Sequence, residues 1–222
     1  HKSPSLVDGG AVGGARWDDW RTGCLLPTGG AASRPMCQLA WRSGCSADDR
    51  TSTSSGVSAA DVPPSAASNG KPASVLAPMP GFVMYAMSAQ LQGLAFHGVP
   101  LTADFQLDDA AMLAAMRTHQ PAITYIAYPN NPTANLWDSA IIRRLIAEAA
   151  SFGGLVVMDE AYQPFSSRSW LDEMRADPAA NANVLVMRTL SKFGLAGVRL
   201  GYMLGAQTLV HEVDKLRPPY NV

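Results

Sequence analysis

The chain has 222 residues, of which 47% are hydrophobic and 16% charged, enough apolar side chain for one sizeable core. With 17 basic and 18 acidic residues the net charge is −1, so there is no basic excess to favour nucleic acid or an anionic membrane surface. No apolar run reaches the roughly 18 residues that a bilayer span needs, and residues 1–30 hold no apolar segment of the secretory kind; a cytoplasmic location is expected.

Residues 1–72 are rich in Ser, Gly, Ala, Pro and Arg, and TSTSSGVSAADVPPSAASNG (51–70) has neither a helical nor a strand period, so this part is predicted to be irregular or disordered. Its three cysteines, Cys24, Cys37 and Cys45, are odd in number and spaced by 13 and 8, which fits no common zinc pattern; the histidines are scattered, and no metal is expected. From Ala73 onward the pattern turns regular. ASVLAP (73–78) reads as a buried strand and FVMYAMSAQLQG (82–93) as a helix closed by Gly93. LAFHGVPL (94–101) is a strand, and DDAAMLAAMRTH (108–119) a helix with Asp108 as its N-cap. AITYIAY (122–128) is a strand, DSAIIRRLIAEAASF (138–152) an amphipathic helix opened by Asp and closed by Gly153, and GLVVMDEA (154–161) a strand. NVLVMRTL (183–190) and VRLGYML (198–204) are further strands, followed by a helix over TLVHEVDKLR (208–217). Strands alternating with helices predict an α/β fold, a mostly parallel sheet with helices on both faces. In such sheets ligands bind beyond the carboxyl ends of the strands.

Three polar clusters sit at those ends. YPNNPTAN (128–135) follows one strand, VVMDEAYQPF (156–165) places Asp159 at the end of another, and RTLSKFGLAGVRLGY (188–202) carries Lys192 with Thr189, Ser191 and Arg199 around it. Singly, each has an ordinary structural reading: a turn, a capping carboxylate, a surface lysine. Jointly they suit one ligand. A buried carboxylate needs a cationic partner, hydroxyls and a guanidinium fork suit a phosphate, and a lysine amine condenses with an aldehyde. Pyridoxal phosphate has all three features.

PMPGFVMY, YPNNPT, DEAYQPF, RTLSKFGLAGVRLGY and RPPYNV, in this order, resemble the class I/II aminotransferases of the fold-type I pyridoxal-phosphate enzymes, and among them the histidinol-phosphate aminotransferases. The likeness spans about residues 73–222 and implies an incomplete three-layer αβα large domain. It implies that Lys192 holds the cofactor and later moves protons, and that Asp159 pairs with the ring nitrogen. Asn131 and Tyr162 would bond the ring's phenolate oxygen, Thr189, Ser191 and Arg199 the phosphate, and Phe82 would stack on the ring with Tyr85 nearby. It further implies a cis Asn131–Pro132 bond, 2-oxoglutarate as amino acceptor and a homodimer. The same cofactor residues also suit an aromatic aminotransferase or a threonine-phosphate decarboxylase.

Three departures from the family stand out. SNGKPAS (68–74) replaces a glycine-rich phosphate-binding segment, and Ala134 occupies a place where glycine is common. The family's small C-terminal domain would lie beyond Val222, so the sequence reads as a partial chain, residues 73–222 being part of the cofactor domain, and as weak or inactive alone.

Overall fold

The computed structural model describes residues 36–42 and 72–216. In chain order the elements are β1 (Met36–Arg42), β2 (Ser74–Met79), α1 (Met84–Leu91), β3 (Ala95–Pro100), α2 (Asp109–His119), β4 (Ile123–Ala127), α3 (Ser139–Ser151), β5 (Leu155–Asp159), α4 (Trp170–Ala176), β6 (Val184–Thr189), β7 (Leu200–Ala206) and α5 (Gln207–Asp214). The strands form one sheet in the order β1-β7-β6-β5-β4-β2-β3. The pairs from β3 through to β6 are parallel, whereas β7 runs antiparallel to both β6 and β1. The expected mostly parallel α/β sheet is therefore present.

The helix boundaries follow from their caps. Asp108 accepts a hydrogen bond from the Ala111 amide and Asp138 one from the Ala140 amide, each satisfying a donor that the first helical turn leaves open. Gly93 and Gly153 lie just past α1 and α3 with φ of +67° and +77°, the left-handed turn that ends a helix at little cost to glycine.

Two features differ from the sequence expectation. A strand, β1, lies inside the segment predicted to be irregular. Its residues MCQLAWR show no clean alternation, and it is held by main-chain pairing to β7, which a side-chain pattern does not report. Helix α4 is absent from the sequence reading: at seven residues it is too short to show a period, and its signals are confined to its ends, Ser169 accepting from the Leu171 amide as N-cap, Asp172 and Glu173 in the first turn and Arg175 in the last. The segment 68–71 and the RPPYNV motif lie outside the described residues.

Strand alternation distributes the core. Ile126, Val156, Met158, Val184 and Val186 face α2, α3 and α4, meeting Met112, Met116, Leu145, Ile146, Trp170 and Met174 in one large cluster. On the other face Val157 and Leu185 meet Val210 of α5, with Ile123, Tyr125 and Met187 at its margin. Tyr85 of α1 stacks on Tyr125 of this second face, rings 4.4 Å apart and 7° from parallel. Helices thus cover both sides, giving the expected three layers.

Ala134 has φ of +61°. An L-residue there is strained by its Cβ, so Ala134→Gly is expected to stabilise the fold by about 0.5 kcal/mol, the relief being partly offset by glycine's greater freedom when unfolded. Urea unfolding of the two proteins checks this; a loss of stability would contradict it.

Candidate active site

The parallel strands end on one edge of the sheet, and ladder bonding carries only one residue further, as Tyr128 N–H donates to the Asp159 carbonyl and Glu160 N–H to the Met187 carbonyl, before the chain turns away. Asp159 closes β5. Its strand parity is that of Val157, so its carboxylate turns toward the face covered by α1 and α5. There Oδ2 accepts from the Tyr85 hydroxyl at 2.7 Å and Oδ1 from the Ala161 amide at 3.0 Å. Burial pushes the Asp159 carboxyl above the usual carboxylate range, and the Tyr85 hydroxyl, the Ala161 amide and the charge of Lys192 draw it back part of the way. Burial, reinforced by Asp159, also holds the Tyr85 phenol far above its ordinary value, so it remains a donor. Phe82 meets Tyr85 edge-on, with centroids 5.6 Å apart, and stays 39% exposed at the rim.

Lys192 ends a single 3₁₀ turn that follows β6. Thr189 caps this turn by accepting from the Ser191 amide at 3.1 Å. The Lys192 Nζ lies 4.9 Å from the centroid of the Tyr162 ring. A second 3₁₀ turn, Ala196–Val198, returns the chain to Arg199, whose φ is +55°. Arg199 donates to Ser191 Oγ at 3.3 Å and to the Ala196 carbonyl at 3.4 Å.

The nine residues singled out in the sequence fall in two adjoining cavities. Phe82, Tyr85, Asn131, Asp159, Tyr162 and Lys192 line one. Thr189, Ser191 and Arg199 line the second, which Asp159 also borders. Two assignments gain detail. Tyr85 touches the Asp159 carboxylate and stacks on Tyr125 instead of merely lying near a ring site. The Thr189 hydroxyl donates to the Leu200 carbonyl at 3.2 Å, so it must give up that bond to serve an anion, whereas Ser191 and Arg199 already point at one another. Of the paired asparagines, Asn130 is the buried one, donating to the Pro80 carbonyl at 3.2 Å and to Thr133 Oγ1 at 2.7 Å, which leaves Asn131 at the cavity. The Asn131–Pro132 bond is cis, as the resemblance implied, and so are Met79–Pro80 and Tyr128–Pro129.

The sequence reading missed a polar group under the site. Glu160, next to Asp159 but of opposite parity, is fully buried on the α4 side and pairs with Arg188 of β6 at 2.8 Å. Alternation along MDEA was the available signal: two successive acids at a strand end cannot share one face. Among the described residues no group of three or more acids, histidines and cysteines is arranged to hold a metal. Nor is any described helix long and apolar enough to cross a membrane.

The family model of the class I and II aminotransferases matches residues 42–222, and the chain belongs to that family. Membership implies pyridoxal 5′-phosphate as cofactor. Among particular relatives, the chain is 73% identical over 150 residues to the histidinol-phosphate aminotransferase of Acidovorax sp. (strain JS42), covering 68% of this chain and 41% of the relative. The histidinol-phosphate aminotransferase from Sinorhizobium meliloti, solved in complex with pyridoxal-5′-phosphate, matches with a TM-score of 0.58 and 29% identity over 65% of this chain and 39% of that one. The enzyme of the same name from Clostridium acetobutylicum matches at a TM-score of 0.61 and 19% identity over 68% and 45%, a likeness of fold. The chain spans about two fifths of the length of the curated relatives it matches.

Proposed function

We propose that this chain forms the cofactor-binding part of a histidinol-phosphate aminotransferase. The reaction would be L-histidinol phosphate and 2-oxoglutarate giving imidazole acetol phosphate and L-glutamate. The homodimer and cytoplasmic setting that the resemblance implies belong to the same proposal. The observation that carries it is the convergence of Asp159 and Lys192 on one cavity, with Ser191 and Arg199 in the adjoining one. The identity to the Acidovorax relative supports the choice of substrate.

The residues fit the cofactor by their donor set: a buried carboxylate, a lysine amine and a hydroxyl–guanidinium pair border cavities that share Asp159 and Ala161. When bound, pyridoxal phosphate supplies an aldehyde that condenses with an amine and a cationic ring that takes up electron density. The chain's own groups do the rest. Asp159 would pair with the ring nitrogen and help keep its proton there, and Tyr85 fixes the carboxylate's orientation through Oδ2. Asn131 and Tyr162, which line the cavity, would bond the ring's phenolate oxygen, and Phe82 would cover a ring face at the rim. Ser191 and Arg199 would grip the phosphate, and Thr189 could join them only by giving up its bond to Leu200. Lys192 would anchor the cofactor through its amine, and the same Nζ, when free, would be the group that holds and moves a proton.

The test is to add pyridoxal 5′-phosphate to the purified protein, reduce with borohydride and map the modified peptide by mass spectrometry. A stable label on Lys192, together with a visible absorption band that Lys192→Ala lacks, is expected. A label spread over surface lysines, or the same band in Lys192→Ala, would overturn the assignment.

A further inference from the structure

Asp159 and Glu160 are consecutive, yet β alternation sends them to opposite faces of the sheet. Asp159 looks into the candidate site, while Glu160 lies beneath it with no exposed surface. Its carboxylate accepts from Arg188 Nε at 2.9 Å, from the Ser169 hydroxyl at 3.0 and 3.1 Å, and from the Trp170 amide at the start of α4. Arg188 also donates to Ser169 Oγ at 2.8 Å and lies directly across the ladder from Tyr202 on β7. One buried carboxylate thus ties together the end of β5, the start of α4 and the end of β6.

A buried ion pair is weak evidence for stability, because well-packed apolar residues commonly replace one without loss. What the pair does supply is geometry, since a guanidinium fork on a carboxylate fixes both distance and angle. Its place in the chain decides what that geometry controls. Glu160 directly follows Asp159. Arg188 directly precedes Thr189, the cap of the turn that ends in Lys192. Arg188 also borders the cavity of Ser191 and Arg199, but it faces Glu160, while Arg199 bonds Ser191 and a main-chain carbonyl.

We propose that the Glu160–Arg188 pair is a positioning device: it clamps the carboxyl ends of β5 and β6 from the far side of the sheet and so sets where Lys192 stands relative to Asp159. This rests on the cofactor reading above. Arg188 is turned to Glu160 and Ser169, so the pair acts on the site through the strand ends it joins. Loosening it lets the two strand ends splay, and the amine then meets a bound aldehyde at a changed distance from Asp159 and Tyr162.

The experiment compares wild type with Glu160→Gln/Arg188→Met, in which Gln retains an acceptor for the Trp170 amide and no buried charge is left unpaired. Three quantities are read: the urea midpoint, the dissociation constant for pyridoxal 5′-phosphate, and the pH midpoint of the visible absorption of the Lys192-bound cofactor. The expected result is an unchanged urea midpoint, a dissociation constant raised about tenfold or more, and a pH midpoint displaced by about half a unit or more. Unchanged affinity and pH midpoint would overturn the proposal and leave the pair as packing alone. If the double variant does not fold, Arg188→Lys takes its place, keeping the charge but not the fork; the same displacement supports the proposal and its absence overturns it. Failure of the wild-type protein to label Lys192 with borohydride defeats the cofactor reading and this proposal together, whereas a labelled wild type with indifferent variants defeats this proposal alone.

Discussion

Asp159→Asn is expected to stabilise the cofactor-free protein at neutral pH while weakening its hold on pyridoxal 5′-phosphate by about thirtyfold or more. The two effects have one cause. Burial raises the Asp159 pKa in the folded state above that of the unfolded chain, so the folded state holds the proton more tightly. The stability this contributes is complete below the unfolded carboxyl's range and is lost as pH rises through the folded value. At neutral pH burying this carboxyl is therefore a burden that the Tyr85 hydroxyl and the Ala161 amide relieve only in part. Asparagine carries no charge, so its advantage should grow with pH and vanish in acid. Urea unfolding at about pH 3.5 and at about pH 7.5, below and well above the unfolded carboxyl's value, separates the cases. A pH-independent difference would mean that burial does not act on this carboxylate. The loss of affinity follows because the neutral amide of the Asp159→Asn variant offers no charge to a cationic ring, and truncating one partner of a buried charged pair costs about 2–5 kcal/mol. Stability and function pull against each other at one atom pair, as sites that hold a charge for a ligand commonly show.

Arg188→Met alone is expected to destabilise the fold by about 3–5 kcal/mol, because it leaves the fully buried Glu160 carboxylate without its cation. The Ser169 hydroxyl and the Trp170 amide remain as donors, but neither carries charge. The exposed pairs behave differently. Arg143–Glu173 and Arg117–Glu148 lie on the surface with their arginines more than half exposed, and breaking either should change stability by about 1 kcal/mol or less. Denaturant unfolding of Arg188→Met beside Arg143→Met measures the contrast, and equal effects would show that burial of Glu160 does not matter.

How much the sequence disclosed depended on the kind of signal each residue leaves. From Ala73 on, every strand and every helix but the short α4 announced itself by period or by caps, so Asp108 and Asp138 open their helices where expected. The candidate site was legible because its residues sit at strand ends in a parallel sheet, a placement that follows from order along the chain. What stayed hidden came from through-space pairing. Nothing in MCQLAWR foretells that β1 joins β7, and nothing near Tyr85 foretells a bond to a residue 74 positions later. Glu160 and Arg188 are 28 residues apart and meet only because two parallel strands bring their ends together. The Thr189 hydroxyl was read for its chemistry, and its present bond to Leu200 depends on the antiparallel return of β7.

That return has a topological consequence. The chain between β6 and β7 leaves the sheet at Thr189 and rejoins it at Leu200, and Ser191 and Arg199 stand near its two feet. An anion gripped by both residues would fasten the feet of this segment together, turning an open excursion into a closed ring much as a cross-link does. Lys192 sits inside that ring. Its main-chain amides should then exchange with deuterium more slowly when phosphate is held, even though no new strand or helix forms.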